Sequence, residues 1–474
     1  MNKQLLLIYF LAIFCLPVFA NNITVSTPTL TSGSAEDGYG FVTFDLSWEN
    51  SWRLNSGISN WDAAWVFVKY RVSGGDWLPA NLHNDGHQAG TGTAASITVG
   101  LVDDKMAFDA TTNPGIGAFV YRSSAGLGTF TSTGLKLRWD YGADGVAGGT
   151  NVEVKVFAIE MVWVVEGAFN VGGNVLGNNA FVSTTINTAD ATAVGGYPMY
   201  ETVPINASWP NGFAAFYCMK YEVTQQQYVD FLNMLTQTQA TARKHTATTY
   251  RYAITGTTVG SYMTTNSNVA CNMLSWADGA AYADWSGLRP MTELEFEKAC
   301  RGPEPPVTGE YAWGTATVAS SAYTLSDAGA SNEGIATNYS TTAGNAMYNT
   351  TTMAAIGGPV RVGIFTANGS NSGRVSAGAS YWGIMELSGN LLELPISIGK
   401  AKGRAFTGTY GDGLLDSNGD ANADTWPGID ADGVGWRGGS FDHGSNDMRV
   451  SDRTYASQTY PNRYELLGFR AVRR

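Results

Sequence analysis

Charge is scarce in this sequence: only 14% of its 474 residues are Asp, Glu, Lys or Arg. What charge there is leans acidic, to a net −12. That balance argues against nucleic acid and anionic membranes as partners, since both attract basic surfaces. Cysteine is almost missing. Of the four present, Cys15 lies in the N-terminal apolar run, leaving Cys218, Cys271 and Cys300. With no CxxC and an odd count, a disulfide framework is excluded. One disulfide with one free thiol, or three buried thiols, both stay open. Histidine is limited to His83, His87, His245 and His443. Beyond residue 19 no apolar run is long enough to span a bilayer.

The one apolar run has a function of its own. Met1-Asn2-Lys3 is a short basic start, Gln4 to Phe19 is nearly all apolar, and Val18-Phe19-Ala20 closes it with small residues where cleavage requires them. Residues 1–20 therefore read as a signal peptide cut before Asn21. Phe14 before Cys15 lacks the small side chain a lipidation site needs. The expectation is an exported protein, extracellular or at the cell surface, with the periplasm also open. The remaining chain suits two or three domains. Its 44% hydrophobic content permits real cores, and its 57 glycines imply many loops.

Residues 21–158 predict an all-β, sandwich-like domain. Phe41–Trp48, Ala64–Val72, Gly134–Trp139 and Asn151–Phe157 alternate apolar and polar residues, with turn signals such as Asn84-Asp-Gly between them. From about 159 to 474 the pattern changes. Thr224–Asn233, Ser275–Trp285 and Thr292–Cys300 read as amphipathic helices, the last opened by a Thr292/Glu295 capping box. The rest is loop-dominated yet rich in Trp and Tyr. Tracts near 170–200 and 316–356 read as long surface insertions.

The order of local motifs in this second region is distinctive. Glu160–Gly172, Tyr217–Leu232, Leu274–Trp285, Gly287–Gly302, Tyr311-Ala-Trp-Gly314, Gly383–Glu393, Arg437-Gly-Gly-Ser-Phe441 and Leu467–Arg473 follow one another over about 310 residues. This series resembles the formylglycine-generating, or sulfatase-modifying factor, family. The resemblance implies a complex α/β (α+β) fold, a C-type-lectin-like variant with little regular secondary structure. It also implies a catalytic test. Active members carry two cysteines, three and eight residues after the Ser of Gly-Gly-Ser, which hold copper(I) for oxygen chemistry. Here those positions are His443 and Met448. An imidazole and a thioether do not replace two thiolates, so copper is not expected and neither is the oxidase. A related three-histidine iron chemistry fails as well, because His83 and His87 lie in a loop-like stretch.

The resemblance further implies calcium beside Ser388-Gly-Asn, through Glu386, Gly389, Leu391 and Glu393, with Asn338 and Tyr339 matching part of a second site. Mixed carboxylate and carbonyl oxygens suit that ion. Separately, Asp416, Asn418, Asp420 and Asn422 alternate like a calcium loop, although Ala421 and Pro427 stand where an EF-hand needs Gly and Glu. The expected role is binding. The loop after Ser440 offers Phe441, Asp442, His443, Ser445, Asn446, Asp447, Tyr455, Tyr460 and Tyr464, a mixture of adaptable polar groups and rigid aromatic area. A protein or glycan ligand is expected there. The alternatives are a formylglycine-generating oxidase acting on sulfatase cysteines, and a structural surface protein that self-associates.

Overall fold

The computed structural model describes residues 22–173, 179–349 and 356–474. The leader expected over residues 1–20 lies outside them. Two large antiparallel sheets organise the chain. The first joins Thr24–Val25, Tyr39–Arg53, Gly126–Trp139 and Thr91–Gly92 in that order, with Thr29–Ser34 also on Tyr39–Arg53. The second runs Arg289–Pro290, Ala471–Arg473, Phe216–Met219, Val152–Val164, Asp62–Val72, Gly115–Arg122, Ala95–Leu101.

The 158/159 boundary falls inside one strand. In Val152–Val164, Val162 pairs with Asp62 on one side and with Cys218 on the other. The second sheet is therefore continuous from the N-terminal lobe into the motif-bearing region. Alternation along Asp62–Val72 explains why one strand serves both. Ala64, Val66, Val68 and Tyr70 face Val42, Phe44, Trp48 and Phe130 of the first sheet. Ala63, Trp65 and Phe67 face the C-terminal core. The half-buried strand expected from its alternation is thus covered on both faces, as in a central layer. Even Lys69 is 1% exposed, its ammonium donating to the Gly413 carbonyl at 2.7 Å.

The three expected helices form over Gln225–Leu232, Trp276–Trp285 and Glu293–Arg301, capped by Thr224, Ser275 and Thr292. Their environment differs from the expectation. Every residue of Trp276–Trp285 and of Glu293–Arg301 is buried, so these two are core helices, not amphipathic surface helices. A further helix, Gln237–Arg243, has its own capping box from Thr236 and Gln239. It is short and lacks a clear apolar period, which is why pattern reading passed over it. Cys218, Cys271 and Cys300 are all free and buried. Burial pushes the Cys218 thiol up to about 12, so it is an inert apolar filler.

Candidate functional site

The loop after Ser440 is held by buried charge. On Glu293–Arg301, Glu297 accepts from Arg437 at 2.8 Å and Glu293 accepts from Arg453 at 3.1 Å. Arg437 also donates to the Val450 carbonyl at 2.6 Å, clamping the two ends of the segment together. Buried ion pairs of this kind hold geometry more than they add stability.

The expected site residues separate into two environments. Met448 is 0% exposed. It fits only because its neighbours are glycines: a Cβ on Gly389 (φ +93°) would lie 3.1 Å from its sulfur, and one on Gly439 (φ +69°) 2.8 Å from its Cγ. The His443 ring instead faces Tyr455 at 5.6 Å, and its Nδ1 is 2.7 Å from Ser440 Oγ. Burial lowers its pKa, favouring neutral imidazole. The two side chains therefore do not present a joint surface site. Phe441, expected on the surface, is buried, with its N–H bonded to the Asn390 carbonyl at 2.8 Å. It belongs to the floor.

Above that floor lies an aromatic cluster. Trp436 is surrounded by Tyr455 at 5.7 Å, Tyr460 at 5.8 Å and Tyr464 at 6.3 Å, and Tyr250 joins through Phe441 at 6.1 Å. The three tyrosines are half-buried, Asp442 and Asn446 are exposed, and Ser445 and Asp447 are intermediate. Trp436 and Tyr250 were not among the expected residues. Trp436 directly precedes the Arg437-Gly-Gly motif, whereas Tyr250 is almost two hundred residues away by the sequence numbering and carries no local signal.

Beneath the loop is a second constellation. Glu386 accepts from Gly363 N–H at 2.8 Å, and Glu393 from Arg470 Nε at 2.7 Å. The other oxygen of each, Glu386 Oε2 and Glu393 Oε2, is buried with no hydrogen-bond partner. A third carboxylate, Glu222, joins them, accepting from Leu391 N–H at 2.9 Å and from the Asn390 amide. Burial raises all three, Glu386 to about 7, with repulsion from Glu393 adding to the rise of Glu222 and Arg470 opposing it. The expectation included Glu386 and Glu393 but missed Glu222, although it lies in a quoted motif. Its proximity to Glu393 exists only in three dimensions.

The remaining expected ligands turn to other partners. Asp416 Oδ1 accepts from the N–H groups of Asn418 and Asp420, both at 2.8 Å, as an Asx turn does. Asp420 pairs with Arg243 at 2.8 Å, and the Asn422 N–H donates to Asp284. These side chains do not converge as a calcium loop would. Asn338 bonds the Ala322 carbonyl and Tyr339 the Phe365 and Ser376 carbonyls, with no carboxylate bonded to either. Among the described residues no group of three or more His, Cys, Asp or Glu side chains has the arrangement of a ready metal site. The His87 ring meets the His83 carbonyl at 2.8 Å and its Nδ1 accepts from the Arg138 N–H at 3.0 Å, while the His83 ring packs against Phe108 at 4.7 Å.

Fold and site define a β-rich domain with few helices, closed by buried Arg–Glu pairs around a glycine-lined loop. The chain belongs to the sulfatase-modifying factor enzyme 1-like domain family, whose model matches residues 150–474. Among solved structures it is similar to Treponema denticola variable protein 1, at 15% identity and a TM-score of 0.31, over 67% of this chain and 96% of that one. No curated protein matches the chain. No helix among the described residues is long and apolar enough to cross a membrane.

Proposed function

We propose that this chain is an exported, non-catalytic binding protein. Its sandwich-like lobe, residues 21–158, supports a lectin-like sulfatase-modifying-factor scaffold, residues 159–474, and the ligand surface is Tyr455, Tyr460 and Tyr464, backed by the buried Trp436, with Asp442, Ser445, Asn446 and Asp447 around them. The observation that carries this reading is the fate of the two positions that hold cysteines in the oxidases. Met448 is packed into the core and His443 is bonded to Ser440, while the half-buried rings of Tyr455, Tyr460 and Tyr464 reach the surface. Rigid aromatic area edged by adaptable polar groups is the composition of binding surfaces.

Calcium is proposed at Glu386, Glu393 and the Gly389 and Leu391 carbonyls, with Glu222 as an added carboxylate. Two buried, unpartnered carboxylate oxygens beside a third carboxylate support a hard cation there. It would hold the loop in place and would take no part in chemistry.

The test is a glycan and peptide array probed with the mature chain, followed by Tyr460→Ala and Tyr464→Ala on each hit. Binding should weaken at least about tenfold for each variant if these are anchor residues. In parallel, copper(I), oxygen and a sulfatase-type cysteine peptide should yield no aldehyde. Turnover in that assay would overturn the non-catalytic reading.

A further inference from the structure

A groove of about 370 Å³ lies where the two lobes meet, and no residue of the 440–464 stretch lines it. The N-terminal lobe contributes Trp52, at the end of Tyr39–Arg53. The family domain contributes Lys220, Tyr221, Arg374, Tyr381 and Trp382. The lobes are locked together here. Asn60 donates to the Trp382 carbonyl at 2.7 Å and accepts from the Trp52 indole at 3.3 Å. The aromatic wall is therefore built from both lobes and held in place before any ligand arrives.

Hydrogen-bond accounting indicates what the groove lacks. The Asn60 amide is used, and the Ser380 hydroxyl already accepts from two backbone N–H groups. The spare capacity sits on the cations. The Lys220 ammonium donates to Glu160 at 3.0 Å, with Asp62 adding a second negative charge and the rings of Trp52 and Tyr221 at 5.0 Å and 5.3 Å, which leaves it fewer free donors than Arg374. Arg374 donates to the Ala312 carbonyl at 3.0 Å and the Ala379 carbonyl at 3.4 Å, and lies 5.5 Å from the Tyr381 ring. Among the described residues it pairs with no carboxylate. Glu310 and Glu304 act on it only through space, and a half-buried guanidinium with no carboxylate in direct contact favours an incoming anion.

We propose that this groove binds an acidic sugar unit, its ring face against the Trp52 and Tyr381 wall and its carboxylate accepting from Arg374, with further ring oxygens accepting from Lys220. Two lining donors call for acceptors at more than one position of the ligand, which a sugar acid has and a simple aromatic acid lacks. The C–H faces of a sugar ring suit aromatic platforms, and the volume lies within the range of small-molecule sites. This site is independent of the proposed surface after Ser440.

Calorimetric titration of the full chain tests it with three probes: a glucuronate-containing disaccharide, its neutral glucose counterpart, and 4-hydroxybenzoate. The acidic disaccharide should bind at least tenfold tighter than either of the others. Arg374→Gln should weaken it at least tenfold, Arg374→Lys should weaken it less, and Tyr464→Ala should leave it unchanged. Thermal unfolding of each variant separates loss of the site from loss of the fold, and Trp52→Ala probes the wall should Arg374→Gln fail to fold. No binding at millimolar concentration, equal binding of neutral and acidic sugar, tighter binding of the benzoate, or full affinity in folded Arg374→Gln would each overturn the proposal.

Discussion

Two acidic stretches of this chain differ in spacing, and in the fold each behaves opposite to what its spacing suggests. Asp416 to Asp424 alternates carboxylates and amides as calcium loops do, yet Asp416 bonds its own turn and Asp420 pairs with Arg243. Glu386 and Glu393 are seven positions apart with no such rhythm, yet both are buried with an oxygen unsatisfied. A third case separates burial from need. Asp62 is 0% exposed, but one oxygen accepts from Ser51 and the Trp52 N–H and the other from the Trp48 indole. Spacing of acids is therefore a weak guide to cation binding. What matters is whether the folded environment supplies enough donors to each oxygen.

That contrast can be broken in graded ways. The largest effect should come from Glu393→Ala, which leaves the buried Arg470 guanidinium without its carboxylate. A loss of about 3–5 kcal/mol is expected in denaturant unfolding, typical of breaking a buried pair from one side. A loss under 1 kcal/mol would mean that Arg470 is already satisfied by its carbonyls. Next comes calcium. Saturating calcium at about a hundred times its dissociation constant should stabilise the native chain by about 2.7 kcal/mol. Chelator should reverse this and Glu386→Gln should abolish it. An unchanged melting midpoint would remove the metal from the account.

Asp62 sharpens the comparison through pH. Burial pushes its carboxyl up to about 6, with the neighbouring Lys220 opposing that rise. The folded chain then holds a proton that the unfolded chain releases nearer pH 4. Asp62 should therefore lower stability as pH rises across that window, contributing at most about 1.4 kcal/mol per unit. Asp62→Asn should remove that contribution from the measured slope and leave any calcium response unchanged. The smallest effect belongs to Asp416→Ala, which removes one exposed turn and should cost less than about 1 kcal/mol. If it also abolished the calcium response, the two stretches would have to exchange roles.

Much of the fold was legible because it depends on local physics. Thr224, Ser275 and Thr292 cap their helices through hydroxyls three residues from the amides they bond. The alternation in Phe41–Trp48 marks a strand because side chains in an extended chain point to opposite faces. The same logic failed where both faces are covered. Polar positions along Asp62–Val72 and Glu293–Arg301 read as solvent-facing, but Lys69, Glu297 and Arg301 are buried and paired. The binding-surface residues were legible in part. Tyr455, Tyr460 and Tyr464 lie close together in the chain, whereas Tyr250 reaches the cluster from far away and Phe441 turns beneath it.

By itself the sequence determined the helix caps, the strand alternation, the order of family motifs and the absence of any cysteine after Cys300. These depend on residue type and short spacing. Only the tertiary structure decided that Val162 bridges two lobes, that Glu222 stands with Glu386 and Glu393, and that Arg374 lines a groove with its bonds going to carbonyls. Those properties arise from groups distant in the chain being brought together out of water. A buried charge interacts most strongly with whatever the fold places beside it.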